Sequence, residues 1–184
     1  LSQIILTGYV EFFRGTPMIV QAMVIYYGAM EAFNIDMAPF TAGLFVVSIN
    51  TGAYMAETVR GGIESIDMGQ TEGAKAIGMT HFQTMLYVIL PQTLRNIMPQ
   101  IGNNLIINIK DTSVLNVISV SELYFVGKSA AGVYYKYFPV FFIICVIYFV
   151  MNFVVSRILR LIEKKMDGPS DYKLSESDFM SGDI

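Results

Sequence analysis

The sequence predicts an all-α integral membrane protein, a helical bundle with about four transmembrane helices. Three observations carry that expectation: a shortage of charge, uncharged runs of membrane length, and a one-sided distribution of Lys and Arg around them. Of the 184 residues, 54% are hydrophobic and 15% charged, whereas soluble domains carry about 25% charge. Such a chain cannot cover itself with polar surface, so lipid is its solvent. Twelve Met and thirteen Phe suit a packed bundle, and Trp is absent. The formal charge of −3 averages a membrane body with an acidic tail and says little. One cysteine, Cys145, lies in an apolar run as a small hydrophobe, which excludes a disulfide framework and a thiolate metal site. With His81 the only histidine, a His-based metal centre or catalytic triad is excluded as well. We expect an exposed loop position for it.

The elements follow in chain order. Residues 1–14 contain Glu11 and Arg14, so they form neither a signal peptide nor a span. They read as an amphipathic segment on the inner side. A chain opening on Leu1 rather than Met is expected to have an upstream segment before it. Gly15 to Met30 is uncharged but slightly short, and is predicted to borrow a turn from the residues before Gly15. Met37 to Ala56, bounded by Asp36 and Glu57, is a second uncharged run. Its twenty residues cover roughly 30 Å, the hydrocarbon thickness. Tyr137 to Ser156 is equally long and free of charge.

Between them, residues 76–110 are less clear. Ala76 to Leu94 has no formal charge, yet it holds His81, Gln83 and Gln92, and Pro91 would interrupt a helix. Beyond it, Asn96, Gln100, Asn103 and Lys110 follow steps of four, three and seven, which stack on one helical face. That amide-rich face suits the lining of a polar pathway; interhelical hydrogen bonding explains it equally. Arg157, Arg160, Lys164 and Lys165 place the end of the last span inside, and the Lys- and Arg-free loop at Glu31 and Asp36 lies outside. Four spans satisfy this: 15–33, 37–58, about 94–111, and 137–156. The transmembrane domain is 15–160, its inside loop is about 59–93, and 161–184 form an acidic cytoplasmic tail. From Gly168 that tail is Ser-rich and aperiodic and reads as disordered.

The inside loop reads T-E-G-A-K-A-I-G-M-T-H-F-Q-T-M-L-Y-V-I-L-P from Thr71 to Pro91. Glu72 to Ile77 is predicted helical, with Glu72 in the first turn, where a carboxylate complements the positive end of the helix. Gly78 ends that piece in a left-handed conformation. Thr80 caps a second short helix running to about Tyr87, and Pro91 marks the return to the membrane. This run resembles the signature loop of bacterial ABC importer permeases: E-A-A, three residues, G, nine residues, I, one residue, L-P. Glu72, Ala74, Gly78, Val88, Leu90 and Pro91 fall in register; Gly73 and Val88 depart from the pattern. Phe13-Arg14-Gly15-Thr16-Pro17, Gly102-Asn103-Asn104, Lys110-Asp111-Thr112-Ser113-Val114 and Val117 to Leu123 resemble the polar-amino-acid branch, the glutamine/histidine type. The likeness covers roughly residues 8–160. That branch normally has five spans, so the first is expected to be missing here.

The resemblance implies a type I importer permease in the bacterial cell membrane that forms half of a path for polar amino acids. Its expected partners are two copies of an ABC ATPase, a second permease subunit of the same or a similar kind, an extracytoplasmic binding protein and the lipid bilayer. The chain has no Gly-Lys-Ser or Gly-Lys-Thr of the Walker type. ATP and Mg are therefore expected on the ATPase partner, no cofactor on this chain, and no catalytic role. Glu72, Gly73, Ala74, Gly78, Met79, Thr80, Leu90 and Pro91 are the expected coupling residues. Lys110, Asp111 and Glu122 are candidates for the substrate path because ionisable groups at membrane depth are costly; a structural Lys–Asp pair is the competing explanation. Asn50 and Tyr54 share a face with Glu57 and join Asn103 as candidates, with interhelical bonding again the alternative. An ion-coupled secondary transporter is the alternative function. It would favour internal repeats, and no duplicated half is visible. A purely structural membrane protein would not need the spaced loop.

Overall fold

The computed structural model describes residues 2–166. Among them every regular element is helical. The reading of the tail as disordered from Gly168 onward lies outside the described residues.

Helix α1, Ser2–Gly15, crosses α3, Pro39–Glu64, and the Tyr9 hydroxyl donates to the Ile49 carbonyl at 2.5 Å. The N-terminal segment is thus docked against the bundle. Helix α2, Met18–Phe33, starts after an extended Pro17, so the chain breaks between α1 and α2. The expected span does not borrow a turn from before Gly15: Pro17 has no N–H to continue a helix. At the other end Asn34 adopts the left-handed conformation (φ 53°), and the Asn34 and Ile35 N–H groups close the helix on Met30 and Ala29. Asn tolerates that conformation better than most residues.

Helix α4 covers Met68–Ala76 and α5 covers His81–Thr84. A π-helical turn, Met85–Ile89, then leads without interruption into α6, Leu90–Asp111. Two expectations about this stretch need correction. The second loop helix does not stop near Tyr87, and Pro91 does not break the chain. Pro91 follows directly on the π-helical turn, where the altered hydrogen-bond ladder accommodates its missing N–H. A 3₁₀ segment, Thr112–Ile118, and α7, Leu123–Tyr134, follow. Helix α8, Tyr137–Met166, continues ten residues past the expected span, so residues 161–166 are helical.

The core is built around small residues. Ala22 of α2 and Ala42 and Val46 of α3 pack with Leu115 and Ile118 of the 3₁₀ segment and with Val120. Without water between helices, close approach and dispersion hold a membrane bundle together, which favours Ala and Gly at contacts. Gly127 of α7 is one such contact: a Cβ there would lie 2.0 Å from Ile144 Cδ1 on α8.

Among the described residues, only α8 is long and apolar enough to cross a membrane by length and composition; its apolar window is just 6% buried. That surface, which includes the exposed Cys145, is left for lipid or a second subunit. Helix α2 is apolar but spans 16 residues. Helices α3 and α6 have the length, at 26 and 22 residues, but face each other across polar groups.

Candidate functional site

The loop between α3 and α6 forms a helix–turn–helix knob. Asp67 caps α4, its carboxylate accepting from the Gly69 N–H at 2.7 Å. The helix therefore starts four residues before Glu72. Glu72 lies in the second turn, exposed, and the expected role as a partner for the first-turn N–H groups does not hold. At the C-terminal end, Gly78 has φ +84°, its N–H donates to Lys75 and the Met79 N–H to Ala74. Thr80 and Gln83 then form a reciprocal cap: the Thr80 N–H donates to Gln83 Oε1 at 2.9 Å and the Gln83 N–H to Thr80 Oγ1 at 3.3 Å. Ala74 is buried at the base, Met79 and Leu90 are half-buried, and Gly73 and Pro91 are exposed. His81 is exposed as expected, but it opens α5 rather than lying in a loop. Ile77, Met68, Phe82 and Tyr87 stand out from the knob as exposed apolar side chains, more than an isolated solvated loop would carry.

A seam runs between α3 and α6, which lie antiparallel. Asn108 donates to Thr51 Oγ1 at 2.9 Å towards one end, and Asn96 approaches Ser65 Oγ at 3.4 Å towards the other. Two cavities open along it. The one at the Asn108 end, about 210 Å³, is lined by Met18, Asn50, Thr51, Tyr54, Asn104, Ile107, Asn108 and Asp111. The other, at the Asn96 end, about 510 Å³, takes in Arg14, Tyr54, Glu57, Asn96 and Gln100. Tyr54 lines both, with the Arg14 guanidinium 5.8 Å from its ring centre and 3.5 Å from Glu57. Glu57 also pairs with Arg60, which reaches on to Glu64.

The structure sorts the expected path residues. Asn50, Tyr54 and Asp111 meet in the smaller cavity at the Asn108 end. Asn50 also donates to Gln21 Oε1 at 2.9 Å, so it ties α3 to α2 while lining the cavity. Asn103 is elsewhere, in a groove against Ser156, Leu159 and Glu163 of α8. Lys110 is exposed, and no Lys110–Asp111 pair occurs among the described residues. Glu122 caps α7, accepting from the Tyr124 and Phe125 N–H groups at 2.8 and 2.6 Å and from the Tyr148 hydroxyl at 3.1 Å. The stripe of Asn96, Gln100, Asn103 and Lys110 divides because its centre is about a quarter turn from the α3-facing row at 100° per residue. That row, Thr93, Ile97, Asn104, Asn108 and Asp111, carries two amides the stripe did not include. Gln21, 4% exposed and held by Phe13 and Thr16 oxygens, was also missed.

These features meet a family-level match. The profile of the "Binding-protein-dependent transport system inner membrane component" family covers residues 2–168. The chain belongs to that family. This permease is 41% identical over 159 residues to the glutamine transport system permease protein GlnP of Escherichia coli K12, spanning 86% of this chain and 73% of GlnP. It is 37% identical over 163 residues to the probable amino-acid permease protein YxeN of Bacillus subtilis 168, spanning 88% and 73%. A crystal structure of an amino acid ABC transporter with histidines superposes with a TM-score of 0.81 at 42% identity, over 86% of this permease and 74% of that chain. An inward-facing methionine transporter, MetNI, superposes at 0.67 with 18% identity, over 85% and 73%, which supports the fold.

The fold is accordingly that of a type I ABC importer permease, of which the chain covers most of the domain, and the protein is an inner-membrane component. The family implies an ATPase and a binding protein as partners. The match supports this reading and not ion-coupled transport. The departure at Gly73 is sterically free, since a Cβ there meets nothing within 4 Å. We expect Gly73→Ala to leave uptake intact and to stabilise α4 by about 0.5–1 kcal/mol, the usual helix preference for Ala over Gly. Thermal unfolding of the purified permease would measure it, and a loss of stability would contradict the open geometry.

Proposed function

We propose that this permease forms half of a translocation path for polar amino acids, pairs with a second permease subunit, and is driven by two copies of a separate ATPase that binds ATP and Mg. In this reading the chain carries out no chemistry itself. The knob from α4 to α5 seats in the ATPase and transmits its motion, while an extracytoplasmic binding protein delivers substrate on the opposite side. Asn50, Tyr54 and Asp111 belong to the path; Asn103, Lys110 and Glu122 serve packing, surface and capping. The reading rests above all on the Gly78 turn with its flanking caps, set at the spacing of the family's signature loop. Amino acids as cargo are supported by the names of the relatives.

Uptake of a panel of labelled amino acids by vesicles containing the complete complex tests the function. ATP-dependent uptake of glutamine or another polar amino acid is the expected result, and uptake of none would overturn it. Orientation is tested separately. The basic cluster after Ser156 puts residues 59–93 and the C-terminus inside and residues 31–37 outside. With Cys145 replaced by Ser, Gln83→Cys should react with impermeant maleimide only after the inner face is opened. Labelling from outside in sealed cells would reverse the topology.

A further inference from the structure

Helix α8 has two chemically different sides. One faces the bundle: the Tyr148 hydroxyl donates to Glu122, and Leu159 and Glu163 lie against Gly102 of α6. Turned away from it, Val146, Phe149, Val150 and Phe153 are exposed. At about 100° per residue these four share one arc with Arg157, Arg160 and Lys164, which are exposed too.

The apolar part of this row has the length of one membrane leaflet. From Val146 to Ser156 the helix rises about 15 Å, half of the roughly 30 Å hydrocarbon layer. Within it the Phe149 and Phe153 rings stack, their centres 6.1 Å apart. The cations begin where the apolar part ends. Arg157 and Arg160 lie within about 6 Å beyond Ser156, inside a headgroup layer of roughly 5–8 Å. The Arg157 guanidinium is 4.8 Å from the centre of the Phe153 ring, at the boundary between the two parts. Among the described residues none of the three cations takes part in an ion pair. Glu163, the one acid between Val146 and Met166, borders a groove on α6 together with Arg160 but does not pair with it.

We propose that this face of α8 binds an anionic phospholipid of the inner leaflet, with an acyl chain along Val146, Phe149, Val150 and Phe153 and the phosphate between Arg157 and Arg160. Arg suits that role because its planar fork donates to a phosphate through two N–H groups at once. Cations just past a span complement an anionic headgroup, and the apolar row complements the chain attached to it. A soluble acidic partner would leave the row uncovered. A second copy of this chain packed on the same face would bring like cations together. The inference needs α8 to cross the membrane with its basic end inside, and it is independent of the cargo.

The test is native mass spectrometry of the purified permease–ATPase complex titrated in detergent with dioleoyl phosphatidylglycerol or dioleoyl phosphatidylcholine. Phosphatidylglycerol should bind at least about tenfold more tightly. Replacing both Arg157→Gln and Arg160→Gln should weaken it about twentyfold, at roughly fivefold per cation near the surface. Lys165→Gln, off the row by about a quarter turn or more, should change it less than twofold. Should the double variant fail to fold, Arg160→Gln alone should still weaken binding about fivefold. Equal binding of the two lipids, or equal weakening by Lys165→Gln, would overturn the site. So would a disulfide joining two permeases through Phe149→Cys with Cys145 replaced by Ser, since a second subunit would then cover the row. None of these outcomes bears on amino-acid uptake, which tests the transport reading separately.

Discussion

Replacing Gly78 with Val is expected to abolish ATP-driven uptake while leaving external delivery of ligand unaffected. Gly78 joins α4 to α5 at φ +84°, with its N–H and that of Met79 closing α4 on Lys75 and Ala74. A Cβ at this position meets nothing within 4 Å, so the penalty comes from the backbone. Left-handed geometry costs a residue with a Cβ about 1–2 kcal/mol, and a β-branched side chain is the worst fit. The turn would relieve that strain by moving φ negative. Met79 would then leave Ala74, the Thr80–Gln83 cap would shift, and the exposed Ile77 and Phe82 would point elsewhere. Uptake by reconstituted vesicles and co-purification of the ATPase should both fall sharply. Gly78→Asn, with a residue that tolerates the left-handed region, should retain a good part of both. Undiminished uptake by Gly78→Val would remove the main support for the knob as the point of contact. Glu72→Ala should have a far smaller effect, because Glu72 is exposed within α4 rather than at its start.

The second large effect is expected at Gly62, and it concerns folding rather than transmission. A Cβ on Gly62 would lie 2.2 Å from Ile97 Cγ2 and 3.1 Å from Thr93 Cγ2. Both neighbours are β-branched and buried, at 4% and 1% exposure, so they have little freedom to yield. This is where α3 and α6 approach most closely among their glycines. Gly62→Leu should force the helices apart and destabilise the bundle by about 1–3 kcal/mol or more, the usual cost of overpacking. Folded yield on size exclusion and the midpoint of thermal unfolding in detergent would report it. Gly61, next in sequence, faces open space, and Gly61→Ala should be nearly neutral. Equal losses at the two glycines would mean that the α3–α6 approach is not what Gly62 secures.

The knob was legible because its determinants are local. A positive-φ Gly and a Thr cap with a Gln three residues on depend on neighbours in sequence, and so they could be placed before any packing was known. The start of α4 was misjudged for a related reason: Asp67 is as good a cap as any, but it lies outside the spaced pattern that drew attention to Glu72. The seam was harder to read. Counting amides on α6 found a polar stripe, but the side of α6 that meets α3 is set by close packing of Gly62 against Thr93 and Ile97, and hydropathy does not report that. Asn104 and Asn108 consequently replace Asn103 and Lys110 at the cavity. Glu122 shows a further limit, since an acid beside a span reads alike whether it meets cargo or caps the helix after it.

The uninterrupted run from His81 through the π-helical turn to Asp111 makes the two sites ends of one lever. At about 1.5 Å per residue its thirty-one residues measure roughly 45 Å. One end carries the knob and the other carries Asp111. A tilt of only about 5° at the knob would swing the far end by roughly 4 Å over that arm, more than the length of a hydrogen bond.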